Sequence, residues 1–313
     1  MQGTVVKSTG SWYQVRTENG EPIKSRIKGR FRLDGLPLTN PVAVGDIVEL
    51  SLNSEDNTGN IKKILPRKNY VVRQSPRKRH FLHLIASNVD QAVLIVTIIE
   101  PKIKQGFIDR FLLMTEPYNI PTTIVFNKSD LYEEAELNLF AYLKELYEAI
   151  GYHVLLVSAE DGTGNNELKT LLKDKVTLLS GQSGVGKSSL VNKIEPDVDL
   201  KTGELSDYSG KGMHTTTFAE MFTLSFGGYI IDTPGIKTLS FNNLSVEDVA
   251  HNFREIFAYA KGCKYNDCTH RNEPQCAVKE AIEKEEISEL RYINYVTLLE
   301  EVEEQNSWER KEM

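Results

Sequence analysis

Eight residues restrict this chain more than anything else in it. Gly181-Gln182-Ser183-Gly184-Val185-Gly186-Lys187-Ser188 fits G-x-x-x-x-G-K-[ST], between an apolar run at 176–180 and a helical pattern from about Lys187. Strand, glycine turn and helix in that order make a phosphate loop. The glycines let backbone N–H groups curl around a phosphate, and the helix N-terminus adds a favourable dipole. The expected nucleotide site runs from Gly181 to Ser189, with Lys187 on the β- and γ-phosphates and Ser188 on Mg²⁺. The alternative is a chance glycine turn, against which the strand and helix on either side argue.

The patterning around the loop agrees. Residues 91–99 form a continuous apolar run, as in a strand buried on both faces. Further strands are expected at 122–126, 154–157, 218–225 and 229–231. Helices are expected at 107–118, 133–150 and 166–172, with Leu137, Phe140, Leu143, Leu146 and Tyr147 sharing a face. Alternating strands and helices imply a doubly wound parallel sheet.

Three further motifs fall at ends of these expected strands. Asp232-Thr233-Pro234-Gly235 follows 229–231. Its Asp can hold Mg²⁺ through water, and the Gly235 N–H can sense the γ-phosphate. Asn127-Lys128-Ser129-Asp130 follows 122–126. A carboxylate there accepts two hydrogen bonds from the guanine N1–H and exocyclic amine, a pair that adenine lacks, so Asp130 selects GTP. Asn127 supports base and loop, and Lys128 packs on the base plane. Ser158-Ala159, after 154–157, offers a backbone N–H to guanine O6. Between the phosphate loop and Asp232, residues 197–218 hold Gly203, Gly210 and Gly212 and end in Met213-His214-Thr215-Thr216-Thr217. A mobile segment ending in Thr suits a switch, and Thr216 is the expected Mg²⁺ ligand. The guanine elements precede the phosphate elements, the reverse of the Ras-like order. That is a circular permutation, which neighbouring domain termini make feasible.

The ends of the chain differ in character. Residues 3–65 alternate short Val/Ile/Tyr/Arg runs with turns, Asn19-Gly20 among them, as in a small OB-like barrel. Trp12, Tyr13 and Phe31 either stack on bases or fill the barrel. Residues 1–90 carry 15 Lys and Arg against 8 Asp and Glu, while the rest carries 22 against 36. A basic N-terminal third suggests a nucleic-acid partner, with a lysine-rich solvated surface as the alternative. Residues 67–89, including Arg67, Lys68, Arg73, Arg77, Lys78, Arg79, His80 and His83, have no acidic member and read as a basic linker that grips phosphates or merely connects.

Beyond residue 240 the chain is expected to be helical, at 246–260 and 277–304, the latter packed by Ile282, Leu290, Ile293 and Leu298. Its last 37 residues hold 5 basic and 11 acidic side chains, which does not suit an RNA-binding arm. Between these helices lies Cys263-x₄-Cys268-x-His270-x₅-Cys276, which uses all three cysteines of the chain. Three thiolates and one imidazole make a closed tetrahedral set for structural Zn²⁺. An odd cysteine count in one cluster argues against a disulfide framework. No apolar run approaches the roughly 20 residues of a membrane helix, and the N-terminus has no secretory pattern. A cytoplasmic protein with no membrane partner is expected.

Together these features resemble the ribosome small subunit-dependent GTPase A family, bacterial circularly permuted GTPases. The resemblance spans nearly the whole chain: the OB-like N-terminus, the permuted order of 127–130, 181–188 and 232–235, the 212–217 segment and the Cys263/Cys268/His270/Cys276 cluster. It implies a factor in late maturation of the small ribosomal subunit, bound to rRNA and hydrolysing GTP when the subunit stimulates it; a monomer is expected. The expected fold is multidomain: an OB-like barrel at 1–66, a basic linker at 67–89, a permuted α/β P-loop GTPase domain at 90–239 and a helical zinc-binding domain at 240–313. A metabolic P-loop kinase, which Asn127 and Asp130 oppose, and a nucleotide-gated RNA adaptor without turnover are the other classes. The residue after Gly235 is Ile236, which cannot orient water as a Gln would, and Gly184 stands where potassium-activated relatives carry Asn. Slow basal hydrolysis is therefore expected, with His214 either the group that reaches the attacking water once the subunit orders its loop or simply an exposed loop histidine.

Overall fold

The computed structural model describes residues 1–18, 20–27, 38–54, 56–74, 81–104, 106–198, 200, 219–233 and 244–312, the side chains of 306–312 excepted. The first five strands are β1 (Gln2–Ser8), β2 (Tyr13–Thr17), β3 (Pro22–Ile27), β4 (Ile47–Leu52) and β5 (Gly59–Ile64). They pair in the order β1-β2-β3-β5-β4, and β4 returns to β1, which closes the barrel. Alternate residues Val5, Tyr13, Val15, Val48, Leu50 and Ile61 fill its interior. Tyr13, 2% exposed, is thus a core residue. Trp12 is half-buried beneath two cations, with Lys24 Nζ 4.4 Å and the Arg26 guanidinium 5.9 Å from its ring centre. Asn19 and Phe31 lie outside the described residues.

The segment expected as a basic linker is largely a hairpin. Strands β6 (Tyr70–Gln74) and β7 (Leu82–Ser87) pair antiparallel and bury Val71, Val72, Leu82, Leu84 and Ala86. Its charges hid its alternation of apolar residues. Two of those charges are structural. Arg67 is buried and donates to both carboxylate oxygens of Asp46 at 2.6 Å, while Ser87 Oγ and the Ala43 N–H also donate to Asp46. Lys68 pairs with Asp90 at 2.8 Å. Desolvation and the Arg73 charge bring His83 down to about 4, so it is neutral at pH 7. Arg77, Lys78, Arg79 and His80 lie outside the described residues.

Next come β8 (Gln91–Val96), α1 (Phe107–Thr115), β9 (Thr122–Phe126), α2 (Glu134–Ala149), β10 (His153–Leu156), α3 (Asn165–Leu172), β11 (Val176–Gly181), α4 (Lys187–Ile194), β12 (Glu220–Thr223) and β13 (Tyr229–Asp232). Strands β10, β9, β8, β11 and β13 run parallel in that order, and β12 lies antiparallel beyond β13. Ala92, Leu94 and Val96 of β8 face one core with α1 and α2, while Val93 and Ile95 face the other with α3 and α4. Burial on both faces explains the unbroken apolar run. Within α2, Leu143 and Tyr147 are buried and Phe140 and Leu146 partly so, but Leu137 at the N-terminal end is 45% exposed because the core ends before it. The barrel continues this sheet. Lys7 of β1 bridges Glu220 of β12, their side chains pair at 2.6 Å, and Arg16 Nη1 donates to Thr223 Oγ1 at 2.7 Å.

The C-terminal part holds α5 (Val246–His251), α6 (Arg254–Ala260), α7 (Ala277–Glu283) and α8 (Glu289–Glu312). Each helix expected there is therefore two. Ser245 and Asp248 form a capping box that starts α5. The second break, at 284–288, contains Glu285 with φ +60° and turns buried Ile287 into the core. Tyr295, Leu298, Leu299 and Val302 of α8 then pack inward while Ile293 is exposed. Charge holds this part to α1: buried Arg291 donates to Asp109 at 2.5 Å and to Glu255 at 2.6 and 3.0 Å, and Tyr147 and Asn294 also donate to Asp109. Among the described residues, no helix is long and apolar enough to cross a membrane.

Candidate active site and metal centre

In an open parallel sheet, ligands settle beyond the carboxyl ends of the strands, where the strand order reverses. Here β11 lies between β8 and β13, and its carboxyl end carries the loop 181–186 into α4. Gly181 packs against β8 so closely that a Cβ would stand 2.6 Å from Ile95 O. Gly186 has φ +84°, and a Cβ there would stand 2.5 Å from Asn127 Nδ2. Val185 is buried and anchors the turn, while Gln182, Ser183 and Gly184 are half-buried or exposed around it. Lys187 begins α4 and pairs with the buried carboxylate of Asp232, also donating to Thr233 O at 3.0 Å. Thr233 Oγ1 donates to Leu179 O at 3.1 Å, tying the end of β13 to β11. Ser188 is half-buried on the first turn of α4, and Ser189 beside it is exposed.

The β9 loop lies alongside. Asn127 is buried, and its Nδ2 donates to Val185 O at 2.8 Å, so one side chain joins this loop to the phosphate loop. Lys128 has φ +67° and donates from Nζ to Glu100 O at 2.5 Å. Asp130 is exposed, and Ser158 Oγ donates to its Oδ1 at 2.5 Å. Ser158 Oγ in turn accepts from the N–H groups of Glu160 and Asp161 at 3.0 and 3.2 Å. Ser158 thus ties this loop together through its side chain, while its own N–H donates to Thr163 O at 3.0 Å, and Ala159 follows it half-buried. The structure thus gathers 127–130, 158–159, 181–189 and 232 at one end of the sheet. Gly235, Ile236, Thr216 and His214 lie outside the described residues, as do Gly203, Gly210, Gly212, Met213, Thr215 and Thr217. Tyr132, which holds the β9 loop, escaped the motif pattern because motif spacing registers the residues facing a ligand and not those behind them.

The metal-ligating atoms of Cys263, Cys268, His270 and Cys276 all lie within 4.8 Å of one another. Cys263 and Cys276 Sγ are 3.9 Å apart, and each is 3.5 Å from His270 Nδ1. A metal bound at about 2.3 Å to sulfur and 2.0 Å to nitrogen gives tetrahedron edges of about 3.5–3.8 Å, which the Cys263, Cys276 and His270 atoms match, with Cys268 Sγ within 4.8 Å of them. Tyr292 and Tyr295 of α8 donate to the carbonyls of His270 and Thr269 at 2.7 and 3.0 Å. The Glu273 carboxylate accepts from Thr269 N–H and Oγ1 and from the Arg271 and Asn272 N–H groups. Burial opposes its ionisation, yet these donors hold its carboxyl at about 2. Burial pushes the Cys268 thiol up to about 12 and lowers the imidazole pKa of His270, which favours the neutral form that ligates a metal. Metal binding would therefore release protons from thiols.

A phosphate loop joined through Asn127 to a guanine-type loop, with the guanine loop earlier in the chain, defines a circularly permuted P-loop GTPase behind an OB-like barrel. The RsgA GTPase family model matches residues 64–242 and the RsgA N-terminal domain model residues 2–61, and the chain belongs to the RsgA GTPase family. It is 52% identical to the small ribosomal subunit biogenesis GTPase RsgA of Phocaeicola vulgatus, over 97% of this chain and 98% of that relative. It superposes on the crystal structure of YjeQ from Thermotoga maritima with a TM-score of 0.75 and 37% identity, covering 96% of this chain and 98% of that one. The structure of YloQ, a circularly permuted GTPase, matches with a TM-score of 0.71 and 31% identity, over 97% and 95%.

Proposed function

We propose that this chain is a cytoplasmic, monomeric GTPase of small ribosomal subunit biogenesis, hydrolysing GTP to GDP and phosphate while bound to that subunit and its rRNA. The observation that supports the reading is the Asn127–Val185 bond, which joins the 127–130 loop to the phosphate loop in a chain similar to relatives named for this role. Asp130 takes the guanine N1–H and amine, oriented by Ser158. Lys128 lies along the base, and the backbone at Ala159 meets guanine O6. The N–H groups of 181–189 wrap the phosphates. Lys187 would turn from Asp232 to the β- and γ-phosphates, and Ser188, Thr216 and, through water, Asp232 would hold the Mg²⁺ that neutralises phosphate charge. Gly235 senses the γ-phosphate, and His214 orients the attacking water.

The same reading assigns residues 1–66 and the exposed part of 67–89 to rRNA, 90–239 to GTP turnover and 240–313 to a scaffold stapled by one Zn²⁺ on Cys263, Cys268, His270 and Cys276. With four protein ligands the zinc has no open position and supplies structure only. The test is phosphate release from GTP and from ATP, with and without purified small ribosomal subunits. GTP-selective release that the subunit accelerates supports the reading. Equal use of ATP, or no response to the subunit, refutes it.

A further inference from the structure

We propose that the Tyr132 hydroxyl is a positioning group for guanine selection, holding the loop that carries Asp130 against the segment that follows strand β8. The inference rests on the reading of Asp130 as the guanine receptor. The last backbone bond between β8 and the β9 loop runs from the Asn127 N–H to Val96 O at 2.8 Å. Beyond it the Tyr132 phenol takes the place of the ladder. Its hydroxyl donates to Asn127 O at 2.9 Å and accepts from the Ile98 N–H at 3.0 Å, with Thr97 Oγ1 at 3.5 Å.

Asn127 and Tyr132 are the two ends of one short loop. Two turn bonds, Leu131 N–H to Lys128 O and Tyr132 N–H to Ser129 O, wind its interior, and Asp130 lies at its crest. The side chain thus closes the loop on its own first carbonyl and bolts it to the segment that leaves β8. Lys128 supplies the second tie, from Nζ to Glu100 O, while its backbone keeps a left-handed φ of +67° that lysine disfavours. Tyr132 is 8% exposed, so water does not readily replace these bonds. Without the hydroxyl, the Ile98 N–H and Asn127 C=O lose a buried partner and the loop is free to shift.

A carboxylate that must meet two donors at once tolerates less shift than one meeting a single donor. Guanine offers N1–H and the exocyclic amine, while hypoxanthine offers N1–H alone. Loss of the Tyr132 hydroxyl should therefore cost GDP more than IDP, whereas general damage to the fold should weaken both alike.

The experiment is calorimetric titration of the full chain and of Tyr132→Phe with GDP and with IDP. The phenylalanine keeps the ring and its packing. GDP affinity is expected to fall about tenfold and IDP affinity clearly less, so the GDP-over-IDP preference shrinks. An unchanged preference, whether both affinities fall together or neither does, overturns the role of Tyr132. A wild-type chain that binds GDP and IDP equally overturns the Asp130 reading beneath it.

Discussion

Replacing Arg291 by Met should loosen the C-terminal helices from the GTPase domain. The Arg291 side chain is 2% exposed, and its partners Asp109 and Glu255 are 0% and 7% exposed. Removing the cation leaves two carboxylates in the interior with no opposing charge. Breaking a buried pair in this way costs about 3–5 kcal/mol. Tyr147 and Asn294 still donate to Asp109, which favours the lower half of that range, while loss of the guanidinium 4.4 Å from the Phe253 ring adds to the deficit. For a unit of this size, 1 kcal/mol shifts the melting midpoint by roughly 2–4 °C, so a fall of about 6–20 °C is expected. Scanning calorimetry of the metal-loaded protein reads it, with limited proteolysis to show which part opens first. Adding Asp109→Asn and Glu255→Gln to Arg291→Met removes the stranded charges and should recover more than half of the loss. A single variant within about 1 kcal/mol of wild type, or a triple variant no better than the single, would refute the reasoning.

Asp130→Asn should lower GTP affinity about 100-fold or more, because the amide cannot accept from both guanine donors; retained GTP affinity would refute that role. It should also admit xanthine nucleotide, whose edge has a carbonyl in place of the amine. Protein purified without added metal should carry one zinc per chain, and Cys263→Ser should lose the metal together with the order of the helices after residue 244, read by elemental analysis and hydrogen exchange. Charge reversal at Arg77, Lys78 and Arg79 should weaken small-subunit binding and reduce its log–log salt slope by about 0.7–0.9 per lost phosphate contact, while an unchanged slope removes these residues from the interface. Reversal is a cleaner test than deleting residues 1–65, since Val6 and Val44 belong to the GTPase-side core and Asp46 holds Arg67. His214→Ala should keep GTP and subunit binding and lose most of the subunit-stimulated turnover; if turnover survives, another group positions the water.

The chemistry of this chain is written locally and its scaffolding is not. Gly181–Ser188, Asn127–Asp130, Asp232 and the Cys263/Cys268/His270/Cys276 set are recognisable because a phosphate, a guanine edge and a tetrahedral metal each demand particular residue types at short fixed spacings. The double burial of β8 was legible for the same reason, as an apolar run with no polar face. Longer-range relations left no such trace. A charged stretch at 67–89 gave no sign that Arg67 would be neutralised by Asp46, 21 residues away, and folded as a hairpin. Helical periodicity at 246–260 and 277–304 is present in the sequence, but it does not show the breaks at 252–253 and 284–288, where the chain turns so that α5 and α8 pack together and α8 meets α1. That Arg291 would meet Asp109 across 182 residues, or that β1 would extend the sheet from β12, is an outcome of packing. So is the hydroxyl of Tyr132 reaching back to Asn127 and across to Ile98. Such contacts form between side chains that many sequences would place at those positions, and only the folded chain selects which of them meet.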